Sequence, residues 1–339
     1  MPRAEPNGSY DPDLVRDPDT GRLWMVYSGV DGAAGAGLIS THLASSDDDG
    51  RTWCHAGRVN AAAPVPRSAQ PAALAQDAAH WSHEVATLAF VPDAPAETRW
   101  WLAWNRYLHV VDADPRTEDR RFEHGWVAVR RAASPEALLG AEERKLFSAR
   151  GYHADPAVEA WNEAAPGGPP EQRWDRDEAF GDCLVLIEGS LLAVDGRLLW
   201  AGTCVRRGRL DVVLASFDVA TRRWSAEGTL LTPEDAEALE PRLTAFNAPD
   251  LYGVGDEVRL LVSPVAGAYR GCLEFALDVD RRRVGAPLTA IAPKSGAEFL
   301  QSGPCTFAEG TALGIVSGDT RRSGIQFVME ATGIPAAGP

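Results

Sequence analysis

The chain has 339 residues, of which 45% are apolar and 24% are charged, a composition that can build one large all-β unit with a substantial core. Its formal net charge of −15 argues against nucleic acid and anionic membrane surfaces as partners, because both repel an acidic protein. No apolar run approaches the roughly 20 residues of a membrane span, and residues 1–12 lack the apolar segment of a secretory signal. We therefore expect a soluble, cytoplasmic protein.

Five segments share one pattern, in which a short polar or Pro/Gly-rich opening leads into an apolar strand, a turn and a second apolar strand. This pattern is typical of a β-hairpin. The five hairpins lie at residues 10–29, 83–106, 187–204, 248–264 and 302–318. Four of their turns are tight and contain glycine, and the turn of the second hairpin is longer. The tight turns are Thr20-Gly21, Asp195-Gly196, Gly255-Asp256 and Glu309-Gly310.

Further apolar strands follow each hairpin and bring each unit to about four strands. They lie at residues 38–45, 53–59, 125–132, 212–217, 224–230, 272–277 and 325–329. Because no long helical pattern separates the units, the sequence predicts an all-β fold, a five-bladed β-propeller. A sandwich of two sheets is the alternative. We place the propeller in one domain over residues 1–339, with blades at 8–60, 81–150, 183–232, 243–290 and 298–332.

Residues 152–182 depart from the repeat, because they are rich in proline, glycine and charge. We interpret them as a long insertion that either covers one end of the central channel or lies on the surface. Short helical patterns at 135–143 and 233–239 are expected to form single turns on loops.

The five cysteines are far apart in sequence and show no C-x-x-C spacing. We therefore expect them to be unpaired, buried and in a reducing compartment, and we predict neither a zinc site nor a disulfide framework. They are Cys54, Cys183, Cys204, Cys272 and Cys305.

Residues 46–53 read Ser-Asp-Asp-Asp-Gly-Arg-Thr-Trp and match the S-x-D-x-G-x-T-W pattern of the Asp-box. This motif resembles the turns between outer strands in the blades of sialidases and related propellers. There the aspartate caps a tight turn away from the substrate, so the resemblance implies a structural role for Asp48. Residues 216–224 look like a degenerate copy of the same motif.

Two hairpin openings carry a second resemblance. Residues 10–17 read YDPDLVRD and look like the first-blade opening of five-bladed glycoside hydrolases of family 43 and of its relatives in families 32 and 68. Residues 187–203 read IEGSLLAVDGRLLWAGT and are similar to the family-43 segment with the general-acid glutamate. The resemblance implies that Asp11 is the base or nucleophile and that Glu188 is the general acid.

The innermost strands of a propeller begin at one end of its channel, where aligned hairpin openings would meet. Our alignment places Asp11, Glu84, Glu188, Ala248 and Ser302 at equivalent positions. Three carboxylates at one opening suit glycosidic cleavage, which needs one protonated and one ionised carboxyl group. Glu84 would tune the pKa values or hold sugar hydroxyls.

Structural alternatives remain open for these residues. Asp11 could cap the turn before Pro12, and Asp13 competes with it for the catalytic role. Glu188 could form an ordinary ion pair with Arg206.

Polar and aromatic groups near the hairpin openings are candidates for substrate binding, because sugar sites combine hydrogen-bonding groups with aromatic surfaces. They are His83, Arg106, Tyr27, Asn105, Arg206 and Asp250. His83 and Arg106 could also bind an anionic group. The histidines show no metal-ligand spacing, and no cofactor motif is present, so we predict neither a metal nor a cofactor.

The sequence thus favours a glycoside hydrolase that acts on a saccharide. One alternative is a propeller whose pocket serves other small-molecule chemistry, such as a biosynthetic step. Another is a non-catalytic sugar-binding propeller. The oligomeric state is not indicated.

Overall fold

The computed structural model describes residues 8–31, 38–70, 79–110, 124–291, 299–308, 314–320 and 326–331. Its strands form five sheets that follow one another along the chain. One strand of each blade packs against its counterparts in the neighbouring blades. It is the first strand in blades 1, 3, 4 and 5, and the long first hairpin strand in blade 2. The fifth of these strands also packs against the first, which closes the ring. The protein is therefore an all-β, five-bladed propeller, as predicted.

The strands of each blade pair as antiparallel neighbours, except that the last strand of blade 2 pairs in parallel. Blade 1 contains β1 (Ser9–Arg16), β2 (Leu23–Asp31), β3 (Leu38–Ser46) and β4 (Cys54–Arg58). Blade 2 contains β5 (Ala63–Pro64), β6 (Ala79–Phe90), β7 (Trp100–Val110), β8 (Gly125–Ala132), β9 (Arg144–Ser148) and β10 (Gln172–Arg173). Blade 3 contains β11 (Val185–Val194), β12 (Arg197–Arg206), β13 (Arg209–Asp218) and β14 (Arg223–Leu231).

Blade 4 contains β15 (Ala245–Val254), β16 (Glu257–Val265), β17 (Cys272–Asp278) and β18 (Arg283–Ile291). Blade 5 contains β19 (Phe299–Phe307), β20 (Gly314–Thr320) and β21 (Gln326–Ala331). The inner strands that surround the channel are β1, β6, β11, β15 and β19. The α-helices of the described residues are α1 (Pro156–Ala164) and α2 (Pro233–Leu239). Neither is long and apolar enough to cross a membrane.

Asp195-Gly196 and Gly255-Asp256 form two-residue hairpin turns, as the sequence predicts, whereas Thr20-Gly21 lies in a six-residue loop between the paired residues Arg16 and Leu23. Asp195 and Gly196 both adopt positive φ, at 47° and 74°, between paired residues Val194 and Arg197. This is the two-residue hairpin loop that Asp-Gly favours. The predicted turn at residues 309–310 lies outside the described residues.

The Asp-box forms the predicted turn between β3 and β4, at the outer edge of blade 1. The Asp48 carboxylate accepts hydrogen bonds from the Thr52 N–H at 2.8 Å and from the Thr52 hydroxyl at 2.7 Å. These bonds lower the pKa of Asp48 to about 2. Asp218 caps the corresponding turn of blade 3 by accepting from the N–H and hydroxyl of Thr221.

The segment at residues 152–182 contains more regular structure than expected. It holds α1, and its strand β10 extends the outer edge of blade 2. Trp174 and Phe180 are buried in the core between blades 2 and 3. Asp155, which precedes Pro156, accepts hydrogen bonds from the N–H groups of Ala157 and Val158 and so caps α1.

Two disulfides contradict the prediction of unpaired cysteines. Cys183 is bonded to Cys204 and Cys272 to Cys305, whereas Cys54 is free and exposed. Pairing depends on which strands become neighbours, and sequence separations of 21 and 33 residues do not show this. Cys272 and Cys305 come from blades 4 and 5, so their bond links consecutive blades.

We expect a count of one reactive thiol in the denatured, unreduced protein and five after reduction, because only Cys54 is free. Thiol titration with a chromogenic disulfide reagent measures both numbers. Five thiols before reduction, in protein purified without added reductant, would contradict the disulfides. That result would instead support the predicted cytoplasmic location, since disulfides are typical of oxidising compartments.

Candidate functional site

Each inner strand contains a β-bulge at the same place. The pairing with the second strand of the hairpin shifts between Tyr10 and Asp13 in blade 1, and the other four blades shift at the corresponding position. A residue of each bulge has positive φ. These residues are Asp11 (48°), Val85 (49°), Glu188 (50°), Ala248 (49°) and Gly303 (139°). Such a conformation costs a non-glycine residue on the order of 1–3 kcal/mol, so the surrounding fold must hold it in place.

The bulges correct the predicted alignment of the hairpin openings. Val85, and not Glu84, is equivalent to Asp11 and Glu188, and Gly303 replaces Ser302. Glu84 lies one residue earlier and pairs with Asn105, just as Tyr10 pairs with Ser28. The bulge adds one residue to the inner strand, and a comparison of sequence letters does not locate that residue.

Asp11, Glu84 and Glu188 nevertheless come together at one end of the channel, which we call the channel mouth. Burial raises the pKa of Asp11 well above its usual value, and the charges of Glu84 and Glu188 raise it further. Burial and the charge of Glu84 raise the pKa of Glu188 to about 7. The carboxyl groups of Asp11 and Glu188 therefore hold protons at pH values where exposed carboxyl groups are ionised.

Two tyrosines that were not among the predicted site residues donate to these carboxylates. The Tyr10 hydroxyl donates to Glu84 Oε2 at 2.7 Å. The Tyr269 hydroxyl lies 3.1 and 3.0 Å from the two carboxylate oxygens of Glu188. Tyr10 precedes Asp11 on β1, so its place next to a predicted site residue is a sequence signal. Tyr269 lies in an irregular loop after β16 and gives no such signal.

A cavity of about 280 Å³ opens beside the channel mouth, between blades 2 and 3. Glu84 and Glu188 are half-buried and line this cavity, whereas Asp11 lies deeper, in the channel itself. Asn105, a predicted binding residue, also lines it. The other side chains that line the cavity are Val85, Arg106, Tyr107, His109, Trp126, Val185 and Ile187. Gly189, the buried residue after Glu188, has no room for a side chain, because the Trp200 indole would lie 2.1 Å from a Cβ at this position.

Two of the remaining predicted binding residues lie within the cores of their blades. His83 is buried, and its Nδ1 accepts a hydrogen bond from the Trp104 indole at 3.0 Å. Burial lowers the pKa of His83 to about 3, so the ring is neutral and does not supply the predicted positive charge. Tyr27 is fully buried, and its ring stacks on His42 at a centroid distance of 5.2 Å.

The two predicted binding arginines have carboxylate partners of their own. Arg106 lies at the edge of the cavity, but its guanidinium group packs over Trp81 and Trp126 and pairs with Glu143. Arg206 pairs with Asp182 and Asp211 and not with Glu188, so the alternative of a Glu188–Arg206 ion pair is wrong.

Asp250 and Asp13 belong to a second ring of side chains, deeper in the channel. In this ring a polar side chain of one blade accepts a hydrogen bond from a backbone N–H of the next blade. Asp13 accepts from Leu88 N at 2.7 Å, Thr87 from Leu191 N at 2.8 Å, and Ser190 from Leu251 N at 3.0 Å. Ser190 also donates to Asp250 at 2.6 Å. Asp13 therefore links blades 1 and 2 and lies below the channel mouth.

Asp250→Asn is expected to become more stable relative to the wild type as the pH rises from 5 to 8. Burial and the charge of Asp13 raise the pKa of Asp250 well above its usual value, so Asp250 stabilises the fold while protonated and loses this contribution as the pH rises through its folded-state pKa. Asparagine keeps the oxygen that accepts from Ser190 and does not ionise. The difference in melting temperature between variant and wild type at each pH measures the effect.

Asp218→Asn is the matched control for this prediction. Asp218 is exposed, and hydrogen bonds from Thr221 lower its pKa, so it is ionised throughout this pH range. Its replacement should change the melting temperature equally at every pH. A constant difference for Asp250→Asn as well would contradict the assignment.

One group of three potential metal ligands occurs among the described residues, namely Asp182, Cys183 and Cys204. Its two cysteines are bonded to each other, so they offer no thiolate to a metal ion. This group does not fit a metal.

No protein-family model matches the chain. No curated protein matches it either. Solved structures do match over most of its length. A thermostable family-43 glycoside hydrolase is 8% identical, with a TM-score of 0.52 over 98% of this chain and 95% of that one. An endo-arabinase from Bacteroides thetaiotaomicron is 11% identical, with a TM-score of 0.51 over 97% and 95%.

An exo-β-1,3-galactanase from Phanerochaete chrysosporium, crystallised with β-1,3-galactotriose, is 12% identical, with a TM-score of 0.51. The match covers 97% of this chain and 62% of the galactanase. Identities this low show the fold and not the activity. The chain therefore shares the five-bladed propeller fold of glycoside hydrolases.

Proposed function

We propose that the chain is a glycoside hydrolase whose active site is the channel mouth with its adjoining cavity. The observation that carries this proposal is the meeting of Asp11, Glu84 and Glu188, with the pKa values of Asp11 and Glu188 raised by burial and by neighbouring carboxylates. Glycosidic cleavage requires one carboxyl group that holds a proton and one that is ionised. Mutual repulsion between the three groups favours such a mixed state near neutral pH.

In this proposal Glu188 is the general acid. Its pKa of about 7 keeps a substantial protonated fraction at neutral pH, and it lines the cavity where a leaving group would lie. As the bond between the anomeric carbon and the glycosidic oxygen breaks, Glu188 gives its proton to that oxygen.

Asp11 is the base or nucleophile in this proposal, and it must be ionised to act. Burial and the charges of Glu84 and Glu188 favour its protonated form, but protonation of Glu188 removes one of these charges, and a hydrogen bond from the Ser28 hydroxyl favours the ionised form. As base, Asp11 removes the proton of the water that attacks the anomeric carbon; as nucleophile, its oxygen forms the bond itself and water later breaks it. Glu84 raises the pKa values of both partners and can accept hydrogen bonds from sugar hydroxyls.

Hydrolysis of a panel of nitrophenyl glycosides, which includes arabinosides, xylosides and galactosides, tests this proposal. We expect nitrophenol release by the wild type and its loss in both Asp11→Asn and Glu188→Gln, with circular dichroism unchanged. A well-folded wild type that hydrolyses no sugar of the panel would count against hydrolysis. It would favour non-hydrolytic small-molecule chemistry, or sugar binding without catalysis.

A further inference from the structure

A chain of hydrogen bonds reaches Glu188 from residues that do not line the cavity. The Thr203 hydroxyl donates to Asn247 Oδ1 at 2.6 Å. The Asn247 amide nitrogen donates to the Tyr269 hydroxyl oxygen at 2.7 Å. The Tyr269 hydroxyl lies 3.1 and 3.0 Å from the two carboxylate oxygens of Glu188. Thr203 and Asn247 are buried, so the hydrogen bond between them is shielded from competing water, whereas Tyr269 and Glu188 are half-buried.

The chemistry of the donors gives this chain one direction. A threonine hydroxyl that donates to Asn247 Oδ1 leaves the amide N–H₂ facing Tyr269. The phenol oxygen then accepts from the amide, and its own proton is directed towards Glu188. Successive hydrogen bonds of the same direction strengthen one another in a buried site.

The fold holds each member of the chain at a separate point. Thr203 lies on β12 of blade 3 and Asn247 on β15 of blade 4. The loop that carries Tyr269 is closed by backbone hydrogen bonds from Ala266 N to Ala268 O and from Arg270 N to Pro264 O. Glu188 itself lies in the bulge of β11. The chain therefore ties the carboxyl group at the channel mouth to two blades and a loop.

We propose that Tyr269 is a positioning residue that holds the Glu188 carboxyl group towards the cavity and donates to it the hydrogen bond that its ionised form accepts. The proposal rests on the role of Glu188 as general acid and names the group that orients it. Tyr269 is not among the residues that line the cavity, and its hydroxyl contacts both carboxylate oxygens of Glu188, so we expect it to act on substrate through Glu188.

The hydrogen bond from Tyr269 changes the pKa of Glu188 in a definite direction. Hydrogen bonds from Tyr269 and Asn247 lower the pKa of Glu188 and oppose the larger effects of burial and of Glu84. Removal of the phenol hydroxyl should therefore raise the pKa of Glu188 above about 7. A hydrogen bond to a charged group corresponds to a change of roughly one to two in the pKa.

Other titratable groups near Glu188 stay in place in such a variant. They are Asp11 of β1, Glu84 of β6, and Arg106, Tyr107 and His109 of β7. Their titration contributes equally to wild type and variant, so the difference between the two curves reports the hydrogen bond.

The first measurement is a carbon NMR titration of protein with ¹³C-labelled glutamate side chains, in which Glu188→Gln identifies the signal of Glu188. We expect Tyr269→Phe to raise the pKa of Glu188 by about one or more. Thr203→Val, which removes the far end of the chain, should raise it less. An unchanged or lowered pKa in a folded Tyr269→Phe variant would overturn the proposal.

Tyr252→Phe is the matched control. The Tyr252 hydroxyl donates to Glu274 at 2.5 Å, so this variant removes another buried tyrosine–glutamate hydrogen bond, one outside the channel mouth. It should leave the titration of Glu188 unchanged. A shift of the Glu188 pKa in Tyr252→Phe equal to that in Tyr269→Phe would show a general effect of destabilisation and would also overturn the proposal.

The second measurement is the pH dependence of kcat/KM for the best substrate of the glycoside panel. If Glu188 is the general acid, its loss of a proton sets the alkaline limb, and Tyr269→Phe should move that limb to higher pH by the amount seen in the titration. A shifted titration without turnover in the wild type would leave the Tyr269 assignment standing and would reject hydrolysis. An unshifted titration with turnover would reject the Tyr269 assignment alone.

Discussion

Glu188→Gln is expected to lower kcat by about 10²- to 10⁴-fold on glycosides with poor leaving groups, since this is the usual contribution of a general acid. Glutamine keeps the volume and the hydrogen-bonding oxygen but has no acidic proton. The loss should shrink strongly on dinitrophenyl glycosides, because their leaving group departs without protonation. Steady-state kinetics on two aryl glycosides of one sugar, which differ only in the leaving group, measure this contrast.

Asp11→Asn should behave differently, because attack on the anomeric carbon is needed whatever the leaving group. Its loss of activity is expected to be similar on both substrates. Glu274→Gln is the control, since Glu274 also accepts a hydrogen bond from a tyrosine, Tyr252, but lies outside the cavity. Equal losses on the two substrates for Glu188→Gln would show that Glu188 does not protonate the leaving group.

Removal of the Cys272–Cys305 disulfide, by replacement of both residues with alanine, is expected to lower the free energy of unfolding by roughly 3–4 kcal/mol. The bond closes a loop over a sequence separation of 33 residues, and opening it gives the unfolded chain more freedom. It also links blade 4 to blade 5, whose described strands contact β1 by packing and not by strand pairing. Denaturant unfolding followed by tryptophan fluorescence measures the change.

Cys54→Ser is the control for this prediction, because Cys54 is exposed and free. Its replacement should change the stability by less than about 0.5 kcal/mol. If the double alanine variant were as stable as Cys54→Ser under non-reducing conditions, Cys272 and Cys305 would not be bonded in the native protein.

Most of the correct predictions about the fold rest on residues that are close together in sequence. Asp195-Gly196 reads as a turn because both residues tolerate positive φ, and the Asp-box at residues 46–53 reads as a capped turn because Asp48 can reach the N–H of Thr52. Apolar strands on either side of such turns specify hairpins, and five hairpins in series specify a propeller. These features depend on residues that are close in sequence.

The site was predictable only in part. Asp11 and Glu188 were found because they open hairpins in motifs that resemble those of glycoside hydrolases. Glu84 was predicted from the alignment of the hairpin openings. That alignment is wrong by one residue in blade 2, because of the bulge in β6. Tyr269 reaches Glu188 from a loop 81 residues away, and no local pattern marks it.

The partners of buried polar groups were the main source of error. His83 looked available for an anionic ligand, but the fold turns it towards Trp104. Arg206 looked like a partner of Glu188, but Asp182 and Asp211 lie closer to it.

The sequence by itself determined most of the strands, the hairpins, the number of blades and the two carboxylates at hairpin openings, because periodicity and turn chemistry act over a few residues. It did not mark β9, β10 or β18. Only the tertiary structure decided which side chains meet: the Asp11–Glu84–Glu188 cluster, the hydrogen bonds of the second ring and the disulfides between distant cysteines. These contacts join different strands and blades, and the five bulges set their register. A bulge is one residue held at positive φ by the packing around it, and that packing exists only once the ring of blades has closed.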